Sequence, residues 1–272
     1  MPEPVPAIGP TGIIGGKGLL DGFRFSWDPE TFKASKVEER TVHTPYGPVD
    51  ARLGAIKSMP VIVIAREGDM KQDVERPPRH RANIWALKDL GAEKIFSISS
   101  ATSVNKEIGL GTMVFPDQYV DLTGKAVTFE GLPVDMEEPF CPEMRELAYS
   151  IAISLGMSSR GKGTYVNVTG PSYATAAEAD MVRKSGGDIV GISVAHEAKL
   201  AREKGMCYQP VCLVARFPEG RKDIDNYLRS LPDIGHLQDD VMRLLEEMFS
   251  RMPAHFLCLC RSQVPKSAQV KE

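Results

Sequence analysis

The chain of 272 residues is 42% hydrophobic and 25% charged, with 24 glycines, the balance of an ordinary globular protein long enough to bury a large core in one domain. A formal charge of −3 leaves no basic footprint and argues against nucleic acid as the main partner, although a local site for a small anion is invisible in a net sum. No apolar run reaches the ~18–20 residues of a membrane span, and the opening "MPEPVPAIGP" lacks the charged-then-apolar pattern of a signal peptide, so a cytoplasmic protein with no membrane partner is expected.

In chain order, "TGIIGGKGLLDGF" (11–23) reads as the end of a buried strand entering a glycine-bracketed loop, where backbone N–H groups can approach an anion. A strand follows at 60–65, then a polar linker at 66–81, broken by Pro77 and Pro78, that starts at the strand's end. Long loops in that place are often functional. Helix-like periods at 79–91, 142–156, 173–187, 194–205 and 240–252 alternate with apolar runs at 94–99, 112–121, 164–170, 188–193 and 208–216. Glycines close most of the helices. Such alternation predicts an α/β fold, a largely parallel sheet covered on both faces, with ligands at the carboxyl ends of the strands. Residues 1–272 read as a single domain, with 1–10 and 261–272 as flexible tails.

Five cysteines, at 141, 207, 212, 258 and 260, are an odd count without metal-ligand spacing, so no metal is expected. Cys258 and Cys260 form a C-x-C, readable as a strained disulfide or as two thiols, the latter favoured in a cytosolic chain.

Several blocks in order carry a resemblance over about residues 12–218: "GIIGGKGL", "HTPYGPVDARLG", "RANIWALKDLGAEKIFSISSATS", "FPDQYVDLT", "MEEPFCPEMRE", "GTYVNVTGPSYATAAEADM" and "GGDIVGISVAHEAKLAREKGMCYQPVCLVA". In these the chain resembles the purine nucleoside phosphorylase family, in its trimeric, methylthioadenosine phosphorylase-like branch. The resemblance implies a mixed, largely parallel sheet flanked by helices. It implies cleavage of a purine nucleoside's N-glycosidic bond by phosphate to free purine and sugar 1-phosphate, with phosphate as co-substrate and no cofactor. Its other implication is a homotrimer or homohexamer whose pockets are completed by a neighbouring subunit's loop.

Carried onto this sequence, the resemblance places Lys17, Arg66, Ser99, Ser100 and Ser193 around phosphate, and Ala101, Thr102, Tyr173, Ile192 and His196 around the nucleoside. The departures carry the interest. Lys17 stands where the family has a hydroxyl residue, and a lysine can bind phosphate as a point charge. Glu67 replaces a histidine after Arg66. A carboxylate there repels the nucleophile unless a cation such as Lys17 or Arg216 pairs with it. Thr102 replaces a glycine and crowds the purine plane, Ile192 replaces a methionine under the sugar, and His196 replaces a proline near the 5′ end. Glu178 matches a structural glutamate. Arg216 takes the place of the aspartate that engages purine N7. It is too basic to deliver a proton, yet can donate two hydrogen bonds to N7 and O6 of a 6-oxopurine. Arg216 and Glu67 are thus the candidate catalytic residues for a purine nucleoside phosphorylase. Two alternatives stand beside it: a nucleoside hydrolase in which Glu67 activates water, and a silent homologue that binds a nucleotide-like ligand.

Overall fold

The computed structural model describes residues 9–16, 38–57, 59–68, 79–170, 174–217, 234–253 and 256–262. The strands are β1 (Thr11–Gly15), β2 (Glu38–Thr44), β3 (Gly47–Ile56), β4 (Met59–Ala65), β5 (Lys94–Ser103), β6 (Met113–Val114), β7 (Gln118–Asp121), β8 (Ser159–Arg160), β9 (Thr164–Asn167), β10 (Ile189–Gly191) and β11 (Cys207–Arg216). The helices are α1 (His80–Asp89), α2 (Pro142–Ser154), α3 (Ala176–Lys184), α4 (Val194–Glu203) and α5 (Ile234–Arg251), followed by a 3₁₀ turn at Leu259–Arg261.

One sheet runs β2-β3-β4-β1-β5-β10-β9-β7, and a second limb of β11, β6 and β8 branches from β5. The central pairings β4/β1, β1/β5 and β5/β11 are parallel, whereas β2/β3, β3/β4, β10/β5 and β6/β11 are antiparallel. The expected mixed, largely parallel sheet is therefore present. Successive residues of the central strands divide between two helix layers, as a period of two requires. Ile13, Val61, Val63, Phe96, Ile98, Val211 and Leu213 pack toward α2 and α5. Ile14, Ile62, Ile64, Ile95, Tyr208 and Cys212 pack toward α1 and α4.

The helices and most strands fall where apolar period put them. β5 runs four residues further than the apolar run that marks it. The run at 112–121 divides into β6 and β7, which join different limbs. Pro116 lies between them and has no N–H for a ladder. The hairpin β2–β3 turns on Thr44-Pro45-Tyr46-Gly47, with Gly47 at φ 107° and the Thr44 hydroxyl donating to the Gly47 carbonyl at 2.6 Å. It was not among the predicted strands, because its exposed, charged first strand carries little apolar signal. At α3, Thr175 and Glu178 form a reciprocal capping box, the structural role expected of Glu178. Of the expected C-terminal tail, Arg261 is ion-paired to Glu93, and residues 263–272 lie outside the described ones.

Gly191, at the end of β10, is set by close approach. A Cβ there would lie 2.0 Å from the Tyr165 hydroxyl, and Tyr165 is fully buried. Gly191→Ala should therefore displace Tyr165 and cost about 1–3 kcal/mol, measured by urea unfolding. Unchanged stability would show that Tyr165 has room to move.

Candidate active site

Parallel register brings the carboxyl ends of four strands to one crest. Gly15 pairs with Ala65 on one side and Ile98 on the other, and Arg216 pairs with Thr102. The crest so gathers Gly16 after β1, Arg66 and Glu67 after β4, Ser99 to Thr102 on β5 and Arg216 on β11. A register shift between Val214 and Arg216 re-aims the end of β11, as a bulge does. β10 runs antiparallel beside Thr102 and Ser103 and delivers Ile192 and Ser193 to the start of α4.

Arg66 is 3% exposed and has a partner the sequence reading did not assign. Its Nε donates to Glu197 Oε1 at 2.6 Å, Nη2 to Ser97 Oγ at 2.8 Å, and Nη1 to the Ile98 carbonyl at 3.2 Å. Glu197, fully buried on α4, also accepts from Ser97 Oγ at 2.8 Å and from the Tyr208 hydroxyl at 2.7 Å, with His80 Nδ1 3.7 Å away. Burial opposes the Glu197 charge, but Arg66 and His80 outweigh it and hold the carboxyl far below the usual range. The expected phosphate ligand is thus committed to a buried ion pair, with few N–H groups left for an anion. A sequence signal for Glu197 existed. It lies three residues after Val194 and four before Ala201, on the apolar face of α4, and a carboxylate there demands a buried cation.

Glu67 lies beside Arg66, and a Cβ placed on Gly16 would be 3.8 Å from both Glu67 Oε1 and Arg66 Nη1. Its Oε2 is buried without a hydrogen-bond partner among the described residues. Ser99 is buried and donates to the Ser100 carbonyl at 3.3 Å, Ser100 is exposed, Ala101 is buried and Thr102 half-buried. Ser193 is the N-cap residue of α4, and its hydroxyl makes no cap bond. Ile192 is 36% exposed, an apolar side chain open on the crest. Asn167, fully buried, accepts from the Ala195 N–H at 3.4 Å and so supports the α4 terminus. Lys17 and Tyr173 lie outside the described residues.

His196, the expected nucleoside contact, lies in a buried polar cluster. It is 5% exposed, its Nε2 is 3.1 Å from the Thr123 hydroxyl and 3.6 Å from Asp121, and its ring meets His80 edge-on at 5.2 Å. Asp121 is itself held by Lys199 at 2.5 Å and by Thr123 at 2.7 Å. The position faces a polar core between α4, α1 and the segment after β7, which its place in the motif did not reveal.

Serine hydroxyls, a helix N-terminus and an arginine at the carboxyl ends of the strands make this crest of the α/β fold a place where a small anion can be held. Residues 25–232 match the phosphorylase superfamily, and the chain belongs to it. It is 34% identical over 256 residues to the S-methyl-5′-thioadenosine phosphorylase of Thermofilum pendens, covering 92% of this chain and 94% of the relative. It is 34% identical over 262 residues to the 6-oxopurine nucleoside phosphorylase of Pyrococcus furiosus, covering 92% and 95%. A solved methylthioadenosine phosphorylase from an Antarctic soil metagenomic library superposes with a TM-score of 0.80 at 26% identity, covering 96% of this chain and 92% of that one.

Truncating Glu197 strands a buried guanidinium, so Glu197→Ala should lose about 3–5 kcal/mol in denaturant unfolding. A loss under about 1 kcal/mol would mean that water reaches Arg66.

Burial, and then the charge of His80, lower the His196 imidazole to about 4. The unfolded chain takes up this proton as pH falls through about 6.5, the folded chain only near 4, so the stability it contributes above 6.5 is lost between those values. His196→Gln should flatten the pH dependence of the unfolding free energy in that window by about 1–3 kcal/mol, read from denaturant unfolding at several pH values. An unchanged slope would place the titration on another group.

Proposed function

We propose that the chain is a purine nucleoside phosphorylase that transfers the pentosyl group of a 6-oxopurine nucleoside to inorganic phosphate. The carrying observation is the register that sets Arg216 beside Thr102 at the same crest as Ser99, Ser100, Ser193 and the N-terminus of α4. In this reading phosphate lies over the serine hydroxyls and the α4 terminus, beneath C1′ of the sugar. The C1′–N9 bond breaks as the phosphate oxygen closes on an oxocarbenium-like centre. The purine leaves as an anion with charge spread toward N7 and O6. Arg216 stabilises that charge with two hydrogen bonds while keeping its own protons, and solvent later protonates the base. Ile192 supplies the apolar floor of the sugar site. Lys17 and Tyr173 belong to the same reading, as phosphate and base contacts.

A donor pair at N7 and the exocyclic position matches an oxo group and opposes an amino group, whose N–H meets another N–H. Relatives with both specificities exist among those similar to this chain, one named for methylthioadenosine and one for 6-oxopurine nucleosides. Arg216 favours the second. One observation supports a hydrolytic alternative: the buried, unpartnered Oε2 of Glu67 is the kind of carboxylate oxygen that can take a proton from water. A purine salvage role in the cytoplasm and assembly into a trimer or hexamer complete the proposal. Val120 and Leu122, exposed apolar residues on and after the outermost strand β7, support a subunit contact there. Among the described residues no helix is long and apolar enough to cross a membrane.

Purine release from inosine, guanosine and methylthioadenosine, with and without phosphate, tests the reading. We expect phosphate-dependent cleavage of the first two, and a shift toward methylthioadenosine in Arg216→Asp. Faster cleavage of methylthioadenosine by the unaltered protein would refute the arginine argument. Glu67→Gln separates the two enzyme readings. Relief of repulsion should lower the phosphate KM by about fivefold, roughly 1 kcal/mol, whereas a hydrolase would lose its base and its turnover.

A further inference from the structure

Four of the five cysteines, far apart in sequence, converge at the end of the sheet opposite the crest. The sulfurs of Cys141, Cys207, Cys258 and Cys260 all lie within 4.8 Å of one another. Cys141 is the N-cap residue of α2, and its N–H donates to the Tyr208 carbonyl at 2.9 Å. Cys207 opens β11, and its N–H donates to the Glu93 carbonyl at 3.0 Å. Cys258 and Cys260 flank the start of the 3₁₀ turn, which the Leu257 N–H anchors to Glu143 at 2.9 Å. Cys141, Cys207 and Cys260 are at most 3% exposed, and Cys258 is half-buried.

We propose that Cys141, Cys207, Cys258 and Cys260 form a structural tetrathiolate zinc site. A zinc–sulfur bond of about 2.3 Å places the corners of a regular tetrahedron about 3.8 Å apart, and this cluster matches that size. The Cys207 and Cys258 sulfurs are 3.3 Å apart, far longer than the roughly 2.05 Å of a disulfide. Four thiolates on one ion also fit a mononuclear site, since iron–sulfur clusters spread their cysteines over several metals. With all four positions taken by protein, the site is closed and structural.

A second feature points the same way. Four thiolates on a divalent ion leave two negative charges, which a buried site must balance. Lys94 is fully buried and pairs in register with Cys207. Arg261 follows Cys260 directly and is ion-paired to Glu93. Binding of the metal ties the segment after α5 to the start of α2 and to the first residue of β11, joining parts 51 or more residues apart in sequence. The sequence expectation of no metal rested on ligand spacing, which cannot show ligands gathered from three separate segments.

The test is metal analysis of the full-length protein purified under mild reductant and passed through metal-free gel filtration. We expect about one zinc per chain, released by a mercurial thiol reagent. Exchange with cobalt should give the visible bands and near-ultraviolet charge transfer of a tetrahedral tetrathiolate. The pair C258S and C260S together should lose the metal and lower Tm by about 5–15 °C, while Cys212→Ser, a buried cysteine outside the cluster, keeps it. Should the double variant fail to fold, the wild-type protein stripped with a chelator should show the same fall in Tm, reversed by added zinc. Two results overturn the proposal. One is metal-free protein whose mass lacks the hydrogens of one or two disulfides, or whose thiols all titrate as free. The other is one equivalent of iron in place of zinc.

Discussion

A guanidinium cannot shed its charge, so an arginine taken into the core must bring a counter-charge with it. In this protein Arg66 does so through Glu197, and the pair joins four elements at once. Arg66 leaves the end of β4, Ser97 and Ile98 belong to β5, Tyr208 to β11 and Glu197 to the first turns of α4. Removing two charges from water is costly, and the surrounding hydrogen bonds offset that only in one arrangement. Rotation of α4, or a slip of β4 against β5, would part the charges and leave both buried and unmatched. The network therefore holds in place the helix terminus and strand ends on which the candidate active site is built.

This has a consequence for the site's electrostatics. An arginine saturated by a carboxylate contributes little net field to a bound anion, and the next residue, Glu67, adds a negative charge at the same place. In the proposed reaction the phosphate-facing role would pass to neutral donors: the hydroxyls of Ser99, Ser100 and Ser193 and the backbone N–H groups opening α4. Such donors are fixed by backbone geometry and keep their strength at any pH in the working range. Arg216 lies next to Thr102, and in the proposed reaction its charge would be felt by the departing base.

The fold was legible because apolar period carries it. Buried strands such as "PVIVIA" and helices such as "PEMRELAYSIAIS" declare themselves without knowledge of their partners. The order of motif blocks placed Ser99, Ser100, Ser193 and Arg216 together in sequence terms, and the fold brings them to one crest. What sequence could not show was pairing across distance. Arg66 is 131 residues from Glu197, and His196 is 73 from Thr123. Each residue's function depends on which of several compatible neighbours the tertiary fold supplies. Arg66 and His196 were read by their place in a motif, which did not show the buried partners the core gives them. Glu197 shows the reverse: a charge on the apolar face of a helix was visible, and only its partner was not.

The cysteine cluster and Arg216 sit at opposite ends of one strand. β11 runs for ten residues from Cys207 to Arg216, roughly 30 Å at strand rise, flanked by β5 along almost its whole length. The interior of the strand, from Tyr208 to Val214, is buried without a break. A close-packed strand between two helix layers is stiff, so fixing one end limits where the other can go. A tetrathiolate at Cys207 would set the strand's position against α2 and the C-terminal segment, while the bulge before Arg216 aims the final side chain. On both proposals stability and specificity would reside on the same element, nine residues apart, and the terminal Arg216 could vary in chemistry without disturbing the anchor at Cys207.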